Sequence, residues 1–329
     1  MDIIFVILGL VFAVYGAQLL VDGGSAVARR FNIPTLVIGS TVVAFGTSMP
    51  EFTVNMHSAF SGKTDLALGN ILGSNLFNIC MIFGIVCLMT PLAVKKDAAS
   101  KDFPMCLIAA VMVGVAGNQL YLDKIKFHEL MLSDGITFMC FFAIFMFYIY
   151  KEAASGAAHQ HAAGAGSSGS AEETGKQKTI PPLKSIVFIV LGLAGLVFGG
   201  EFIVDGATGL AKNFGLSERV IGLLIVGPGT SFPELIASIV AARKGSADMV
   251  VGNVLGSNIF NIFFTLGATS IIHPVPLDLA LNLAVLFNIA VTFLLVLYAW
   301  FSRKKLMGRE IGLFLLLSYV GYIIYALMY

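Results

Sequence analysis

Two short segments of the sequence nearly coincide: "GTSMPEF" at residues 46–52 and "GTSFPEL" at residues 229–235. Each segment places a carboxylate, Glu51 or Glu234, inside a run that is otherwise apolar enough to lie in lipid. An ionised group in the hydrocarbon core is costly and usually marks a functional site. The repeated pair therefore predicts a polar site inside a membrane protein.

The composition indicates the same class of protein. Of the 329 residues, 57% are hydrophobic and only 12% are charged, and the mean hydropathy is +0.90. A soluble domain does not need so much apolar surface, so we predict an all-α integral membrane protein. The net charge of +1 and the lack of a basic stripe argue against a nucleic-acid partner. No nucleophile motif or nucleotide-binding loop occurs, so we expect neither an enzyme nor a cofactor.

Apolar runs of about 20 residues can cross the hydrocarbon core as helices. The first run has no basic n-region and no clean cleavage site, which predicts an uncleaved span. A segment rich in Gly, Ala and Ser, residues 151–182, cannot bury enough apolar area to become ordered, so we predict a flexible linker there. The ten apolar runs are 2–27, 34–60, 66–91, 103–121, 130–150, 183–209, 217–242, 248–272, 277–301 and 310–328.

The two halves of the chain are copies. A shift of 183 residues superimposes the two quoted segments, and also superimposes "GNILGSNLFNI" at 69–79 on "GNVLGSNIFNI" at 252–262. One offset without a gap indicates a duplication. Because each copy has an odd number of spans, the second copy must enter the membrane upside down. The predicted fold is ten transmembrane helices in two inverted five-helix repeats, residues 1–150 and 183–329.

The distribution of basic residues predicts the orientation. If the linker is cytoplasmic, fifteen of the 20 lysine and arginine residues lie in cytoplasmic loops. Cytoplasmic loops of membrane proteins are enriched in these residues. We therefore expect a cytoplasmic linker and both termini outside.

Polar residues surround each carboxylate at helical spacing. Thr47 and Ser48 precede Glu51 by four and three residues, so their hydroxyls approach the carboxylate on a helix. Pro50 lacks an N–H and interrupts this helix just before Glu51. A helix interrupted by Gly and Pro in both halves points to a transport site at the repeat interface. The next span adds a polar stripe at Asn70, Ser74 and Asn78, and the second copy repeats the set at Thr230, Ser231, Pro233, Glu234, Asn253, Ser257 and Asn261.

These side chains offer only oxygen ligands. Carboxylates, hydroxyls and amide carbonyls select hard cations such as Ca²⁺ and Na⁺ over zinc or copper. Two ionised glutamates without a basic partner repel each other, so the pair should bind a divalent cation, monovalent cations or protons. A site for which two kinds of cation compete is what an exchanger needs.

At these residues the sequence resembles the Ca²⁺/cation antiporter superfamily, most closely its prokaryotic Na⁺/Ca²⁺ exchanger branch. GTSxPE followed by GNxxGSNxFN, present twice, is similar to the paired repeats of that family. The resemblance implies a secondary active antiporter in the cell inner (plasma) membrane that exchanges Ca²⁺ for Na⁺ by alternating access. It implies that Glu51 and Glu234 bind both ions.

The resemblance also implies the remaining ligands. This sequence departs from the family pattern in two places. Asn78 and Asn261 stand where some members carry Asp, which argues against K⁺ co-transport. Pro228 stands where the first copy has Phe45, and we expect this proline to reshape the flanking site. The implied ligands are Thr47 and Thr230 beside the carboxylates, Ser48, Ser74, Ser231 and Ser257 at flanking Na⁺ sites, Asn78 and Asn261 in the middle, and the backbone carbonyls of Ala44 and Gly227 at the outer sites.

Other functions remain as alternatives. Buried glutamates can bind protons, so H⁺/Ca²⁺ antiport is the main rival, although a proton needs none of the hydroxyl and amide ligands. An intramembrane acid protease does not require an inverted duplicate, and a passive cation channel is a weaker alternative. The four cysteines have no ligand spacing, and we interpret them as small apolar residues. His159 and His161 are interpreted as incidental.

Overall fold

The structure is a computed structural model and describes residues 2–64, 67–118, 129–164, 180–214, 227–277, 281–302 and 305–328. The described chain is almost entirely helical. In the first half, regular α-helices alternate with wider π-helical segments. The elements are α1 (Asp2–Phe31), α2 (Thr35–Ile38), π1 (Gly39–Val43), α3 (Ala44–Thr47), α4 (Met49–Phe60), α5 (Ala67–Leu76), π2 (Phe77–Ile82), α6 (Phe83–Met89), β1 (Leu92–Ala93), π3 (Ala98–Asp102), α7 (Phe103–Gly117), β2 (Glu129–Leu130) and α8 (Leu132–Gly164).

The second half follows a similar order. Its π-helical segment begins at Phe260, 183 residues after the start of π2 at Phe77, so the duplication extends to this local feature. The elements are α9 (Pro182–Asn213), α10 (Gly227–Gly229), α11 (Phe232–Arg243), α12 (Ala247–Ile259), π4 (Phe260–Leu266), α13 (Gly267–Ile272), β3 (Val275–Pro276), α14 (Asn282–Phe301), β4 (Leu306–Met307) and α15 (Arg309–Met328).

Eight helices in the described residues are long and apolar enough to cross a membrane. They correspond to eight of the ten predicted runs. The second predicted run differs because its helix is broken at Ser48, between α3 and α4. The seventh begins in residues 217–226, which lie outside the described residues, and then continues through α10 and α11.

Helix α8 is longer than the sequence predicts. It continues to Gly164, so residues 151–164 of the predicted linker are helical. The reason is local composition, because Ala, Gln and Glu in this segment have high helix propensity. Helix α9 begins at Pro182, where proline fits the first turn because its missing N–H is not needed there.

The helices α1 and α9 pack against each other in antiparallel directions through glycines. A Cβ atom added to Gly16 would lie 2.7 Å from the carbonyl oxygen of Gly192, and one added to Gly206 would lie 2.5 Å from that of Asp2. Only glycine allows backbones to approach so closely. The backbones of α1 and α9 are therefore in close contact along the length of the two helices.

Two short antiparallel strand pairs join the ends of the membrane helices. Leu92 pairs with Met307 in one, and Leu130 pairs with Val275 in the other. Of the eight long apolar helices in the described residues, the span Ala247–Ile272 is the most buried, since 94% of an 18-residue stretch of it is buried. This burial places the second GSN motif at the centre of the protein.

Candidate cation site

Both quoted segments form helix breaks at the centre of the protein. Ser48 and Ser231 leave helical geometry with nearly equal dihedral angles, φ −84° and ψ 8° for Ser48 and φ −90° and ψ 6° for Ser231. A new helix starts after each serine, with proline in its first two positions and a glutamate, Glu51 or Glu234, in its first turn. The partial positive charge at a helix N-terminus favours a carboxylate there.

The two breaks exchange hydrogen bonds. The Ser231 hydroxyl donates to Oε1 of Glu51 at 3.0 Å, and the Ser48 hydroxyl donates to Oε1 of Glu234 at 2.9 Å. All four side chains are fully buried. Each half therefore positions the carboxylate of the other half. Helical spacing predicted that each serine approaches the carboxylate of its own helix. In the structure each serine bonds to the carboxylate of the other half instead, because the helix break turns its hydroxyl outward.

Each carboxylate has one oxygen that is left unpaired, and so do two of the asparagine side chains. Glu51 Oε2, Glu234 Oε2, Asn78 Oδ1 and Asn261 Oδ1 are buried and have no hydrogen-bond partner among the described residues. Ser48, three residues before Glu51, bonds to Glu234, and Ser231, three residues before Glu234, bonds to Glu51, so the two carboxylates lie close together. Buried polar atoms are rarely left unpaired. These oxygens form a donor set suited to a hard cation.

Four asparagines hold the amide oxygens in place. The Asn78 amide donates to Oδ1 of Asn258 and the Asn261 amide donates to Oδ1 of Asn75, both at 3.1 Å. Asn75 and Asn258 also donate to each other's backbone carbonyl, at 3.3 and 3.2 Å. Because the N–H₂ groups of Asn78 and Asn261 donate within this cluster, their Oδ1 atoms take no part in the cluster's hydrogen bonds.

Sequence reasoning missed Asn75 and Asn258. The prediction followed a stripe with a spacing of four residues, and these two asparagines lie off that stripe. Their signal was the identity of the GSN triplet in both copies. They do not face the carboxylates directly, and their hydrogen bonds orient the residues that do.

The polar stripe also braces the broken helices. Asn253 donates to the Ser238 hydroxyl at 3.0 Å and to the Glu234 carbonyl at 3.3 Å. In the other half, Asn70 donates to Asn55 at 2.8 Å. Asn70 and Asn253 therefore connect α5 and α12 to the helices that carry the carboxylates.

The flanking hydroxyls differ between the two halves. The Ser74 and Thr230 hydroxyls are 3.3 Å apart. In the other half, Thr47 donates to the Val43 carbonyl at 3.0 Å and to Oδ1 of Asn253 at 3.3 Å, while the buried hydroxyl of Ser257 has no partner among the described residues. The two flanks are therefore not equivalent.

The backbone on the two flanks also differs. The Ala44 carbonyl accepts the Ser48 N–H at 3.0 Å, whereas in the second half the Ser231 N–H is donated to Pro228 at 3.0 Å and not to Gly227, the equivalent of Ala44. Phe45 packs against Phe260 with ring centroids 4.1 Å apart. In the other half, Pro228 occupies the position equivalent to Phe45. This agrees with the expectation that Pro228 reshapes its flank.

A cavity of about 360 Å³ lies along α9 beside the two helix breaks. Its walls include Thr230 and Pro50 beside the carboxylates and the exposed acids Glu201 and Asp205 on α9. The cavity can admit cations because negative side chains line its outer part.

The opposite end of the α1–α9 pair carries an ion pair. Lys244, which follows α11, contacts Asp22 of α1 at 2.6 Å and the Gln18 carbonyl at 3.3 Å. Asp205 is the repeat equivalent of Asp22, but Ser61 replaces Lys244 in that half. One end therefore has a cross-link between α1 and a carboxylate-bearing helix, and the equivalent position at the other end has no lysine.

The sequence predicts no ligand role for the cysteines or for His159 and His161. All four cysteines are free; Cys80, Cys87 and Cys106 are buried and Cys140 is exposed. In the described part of the chain, no three His, Cys, Asp or Glu side chains are placed to hold a metal ion together. The side chains of His159 and His161 lie outside the described residues.

The chain is similar to transport proteins over nearly its whole length. The family described as sodium/calcium exchanger protein matches residues 1–151 and 184–328. Inner membrane protein YrbG of Escherichia coli (strain K12) is 35% identical over 312 residues, which cover 94% of this chain and 91% of YrbG. Sodium/calcium exchanger MaX1 of Methanosarcina acetivorans is 28% identical over 343 residues, which cover 98% and 97%.

Solved structures give the same result. The sodium-calcium exchanger NCX_Mj, in a crystal soaked with zero Na⁺ and Ca²⁺, matches with a TM-score of 0.80 at 29% sequence identity. The match covers 99% of this chain and 98% of NCX_Mj.

Proposed function

Because the chain belongs to the sodium/calcium exchanger family, as its repeated motifs predict, we propose that it exchanges Ca²⁺ for Na⁺ at a central site built on Glu51 and Glu234. The family assignment and the similarity to NCX_Mj support a cation/Ca²⁺ antiporter in general. The site geometry supports the specific ion site. The observation that carries it is the set of four buried, unpaired oxygens on Glu51, Glu234, Asn78 and Asn261.

The two carboxylates explain why Ca²⁺ and Na⁺ compete. Their combined charge of −2 is neutralised by one Ca²⁺, and Na⁺ can replace it only if more than one ion binds. The flanking hydroxyls are neutral oxygen ligands, and additional Na⁺ ions can bind to them. In this proposal Ser48, Ser231, Ser74, Ser257, Thr47 and Thr230 line the flanks, Asn78 and Asn261 close the middle, and the carbonyls of Ala44 and Gly227 serve the outer positions.

The architecture that fits this mechanism is an inverted repeat. We propose ten spans, in which the two broken helices with their continuations count as the second and seventh. The antiparallel packing of α1 against α9 supports an inverted relation between the first spans of the halves. The basic residues favour a cytoplasmic segment between α8 and α9 and external termini in the plasma membrane.

Alternating access follows from a movement of the α1–α9 pair. Glycine contacts let the two helices move as one body, and the acidic cavity lies beside the site at the Asp205 end. The Lys244–Asp22 ion pair closes the opposite end in this state. Exchange then requires the pair to slide, so that the cavity closes and the ion pair breaks.

A flux experiment tests the proposal. Proteoliposomes loaded with Na⁺ are diluted into Na⁺-free buffer that contains ⁴⁵Ca²⁺, and parallel vesicles carry only a pH gradient. We expect uptake driven by the Na⁺ gradient and inhibited by external Na⁺. Uptake driven by the pH gradient alone would assign the chain to H⁺/Ca²⁺ exchange, and Ca²⁺ flux without any counter-ion would indicate a channel.

A further inference from the structure

The polar stripe of the second half continues beyond Asn261. Thr265 and Thr269 follow at the same spacing of four residues, whereas the equivalent positions of the first half are Ile82 and Val86. All four of these side chains are fully buried. Because the first half packs an aliphatic side chain at the position of Thr265, the fold does not require a hydroxyl there.

The Thr265 hydroxyl is buried and has no hydrogen-bond partner in the described part of the chain. Thr269 differs, since its hydroxyl donates to the Thr265 carbonyl at 2.7 Å. Buried hydroxyls are rarely left unpaired. Thr265 also lies within π4, and π-helical segments are frequent at functional sites. The oxygen of Thr265 is therefore available to a ligand.

Thr265 lies at the same level of the protein as Glu51. The helix α4, which carries Glu51 in its first turn, packs against π4 through aromatic rings. The ring centroids of Phe52 and Phe264 are 5.4 Å apart. These two phenylalanines are the chain neighbours of Glu51 and Thr265, one on each element.

A second contact between the same elements confirms this register. The Asn55 amide of α4 donates to the Thr269 hydroxyl of α13 at 3.5 Å. Four residues, about one helical turn, before this contact stand Glu51 on one chain segment and Thr265 on the other. Both contacts therefore place the Thr265 side chain in the layer of the protein that contains Glu51.

Thr265 adds an oxygen to the unpaired oxygens of the central site. Oε2 of Glu51, Oδ1 of Asn261 and Oγ1 of Thr265 are all buried and without a hydrogen-bond partner among the described residues. Asn261 and Thr265 are about one turn apart, so their side chains share a face of the helix. The other half lacks the third oxygen, because Ile82 stands in place of Thr265.

The charge of this set suits a monovalent cation. Glu51 contributes one negative charge, while the amide oxygen of Asn261 and the hydroxyl of Thr265 are neutral. One Na⁺ neutralises the set, whereas Ca²⁺ carries twice the charge and requires Glu234 as well. Carboxylate, amide and hydroxyl oxygens are all hard ligands of the kind that such cations prefer.

We propose that Thr265 is a Na⁺ ligand that acts together with Oε2 of Glu51 and Oδ1 of Asn261. This inference rests on the proposed function, since it places one of the exchanged Na⁺ ions on the Glu51 side of the central site. Because the other half has Ile82 at the equivalent position, the Glu51 side binds Na⁺ more tightly than the Glu234 side. The hydroxyl contributes less to Ca²⁺ binding, which depends on both carboxylates.

The test measures cation binding by thermal unfolding of the purified full-length protein in detergent. NaCl is titrated against choline chloride at constant ionic strength, and CaCl₂ is titrated separately without Na⁺. Thr265→Val replaces the hydroxyl by a methyl group of similar size. We expect the Kd for Na⁺ to rise about tenfold, because a neutral oxygen that contacts a charged partner contributes about this much to affinity. The Kd for Ca²⁺ should stay close to the wild-type value.

Two further variants separate a ligand role from a structural role. Thr265→Ser keeps the hydroxyl and removes a buried methyl group, so it should destabilise the cation-free protein and retain the Na⁺ affinity of the wild type. Thr265→Val should do the opposite. Thr292→Val is the matched control, because Thr292 is 1% exposed on α14 and its hydroxyl donates to Asn288 at 3.3 Å. This control should leave the Kd for Na⁺ unchanged.

The outcomes distinguish this ligand assignment from the proposed function. An unchanged Kd for Na⁺ in Thr265→Val, or an equal loss of affinity in Thr265→Ser, would overturn the role of Thr265. The proposed function would survive that result if Glu51→Gln still abolishes stabilisation by Na⁺. A wild-type protein that Na⁺ does not stabilise would instead overturn the proposed function, and the assignment of Thr265 with it.

Discussion

The substitution Glu234→Gln tests the central site most directly. Glutamine keeps the shape of the side chain and can still accept the Ser48 hydrogen bond through Oε1. It removes the charge and places an N–H₂ group at the position of Oε2, which has no hydrogen-bond partner among the described residues. Ca²⁺ then loses a charged ligand, while the repulsion between Glu51 and residue 234 disappears. The variant should fold at least as well as the wild type without cations.

The size of the effect follows from the burial of the site. Truncating one member of a buried, hydrogen-bonded charge pair costs about 2–5 kcal/mol, or roughly 30-fold to several thousand-fold in affinity. A ligand at 100 times its Kd stabilises a protein by about 2.7 kcal/mol, and a 30-fold weaker ligand at the same concentration stabilises it by less than about 0.9 kcal/mol. Thermal unfolding in the presence and absence of Ca²⁺ therefore reports the loss, and ⁴⁵Ca²⁺ uptake should be abolished.

Glu310→Gln is the matched control, because Glu310 is an exposed glutamate in the first turn of α15 and far from the site. It changes the net charge by the same amount and should leave uptake and Ca²⁺ stabilisation intact. Substantial uptake by the Glu234→Gln protein, or undiminished stabilisation by Ca²⁺, would refute the view that the two carboxylates bind Ca²⁺ together.

Three further substitutions probe the surroundings of the site. Asn258→Ala removes the side-chain oxygen that accepts the hydrogen bond of the Asn78 amide. Such a hydrogen bond is worth about 1–1.5 kcal/mol, so calorimetry should show that Ca²⁺ binds about tenfold more weakly. Gly16→Ala places a Cβ 2.7 Å from the Gly192 carbonyl, and exchange should slow at least about tenfold, whereas Gly321→Ala, with no atom within 4 Å of the new Cβ, should not. Lys244→Ala removes a partly exposed ion pair worth up to about 1 kcal/mol, so hydrogen exchange at the end of α1 should rise up to about fivefold.

The sequence predicts the membrane class and the two clusters of polar residues because both depend on local pattern. Long apolar runs predict helices whatever their neighbours, and eight of the runs are helices in the described residues. The duplicated motifs predict which residues matter, and the structure brings Ser48, Ser231, Glu51 and Glu234 together at the centre. Neither inference required knowledge of how the halves pack.

What the sequence does not predict is contact between the halves. Helical spacing placed Ser48 beside Glu51, but the break after Thr47 ends the helix to which that spacing applies, and Ser48 bonds to Glu234. The amide network of Asn75 and Asn258 was missed for the same reason, since its hydrogen bonds join residues 183 positions apart. Such pairs have no periodic signal in one sequence.

The crossed hydrogen bonds suggest why two carboxylates are tolerated in the membrane interior. A single buried glutamate would be stabilised most simply by holding a proton, and a proton requires no second half. Here each carboxylate takes one hydrogen bond from the opposite repeat and keeps one oxygen for the centre. In the proposed mechanism the site is complete only when both halves are docked and a cation neutralises the pair. Under that mechanism, cation binding is coupled to the relative position of the two halves, which is the coupling that an exchanger requires.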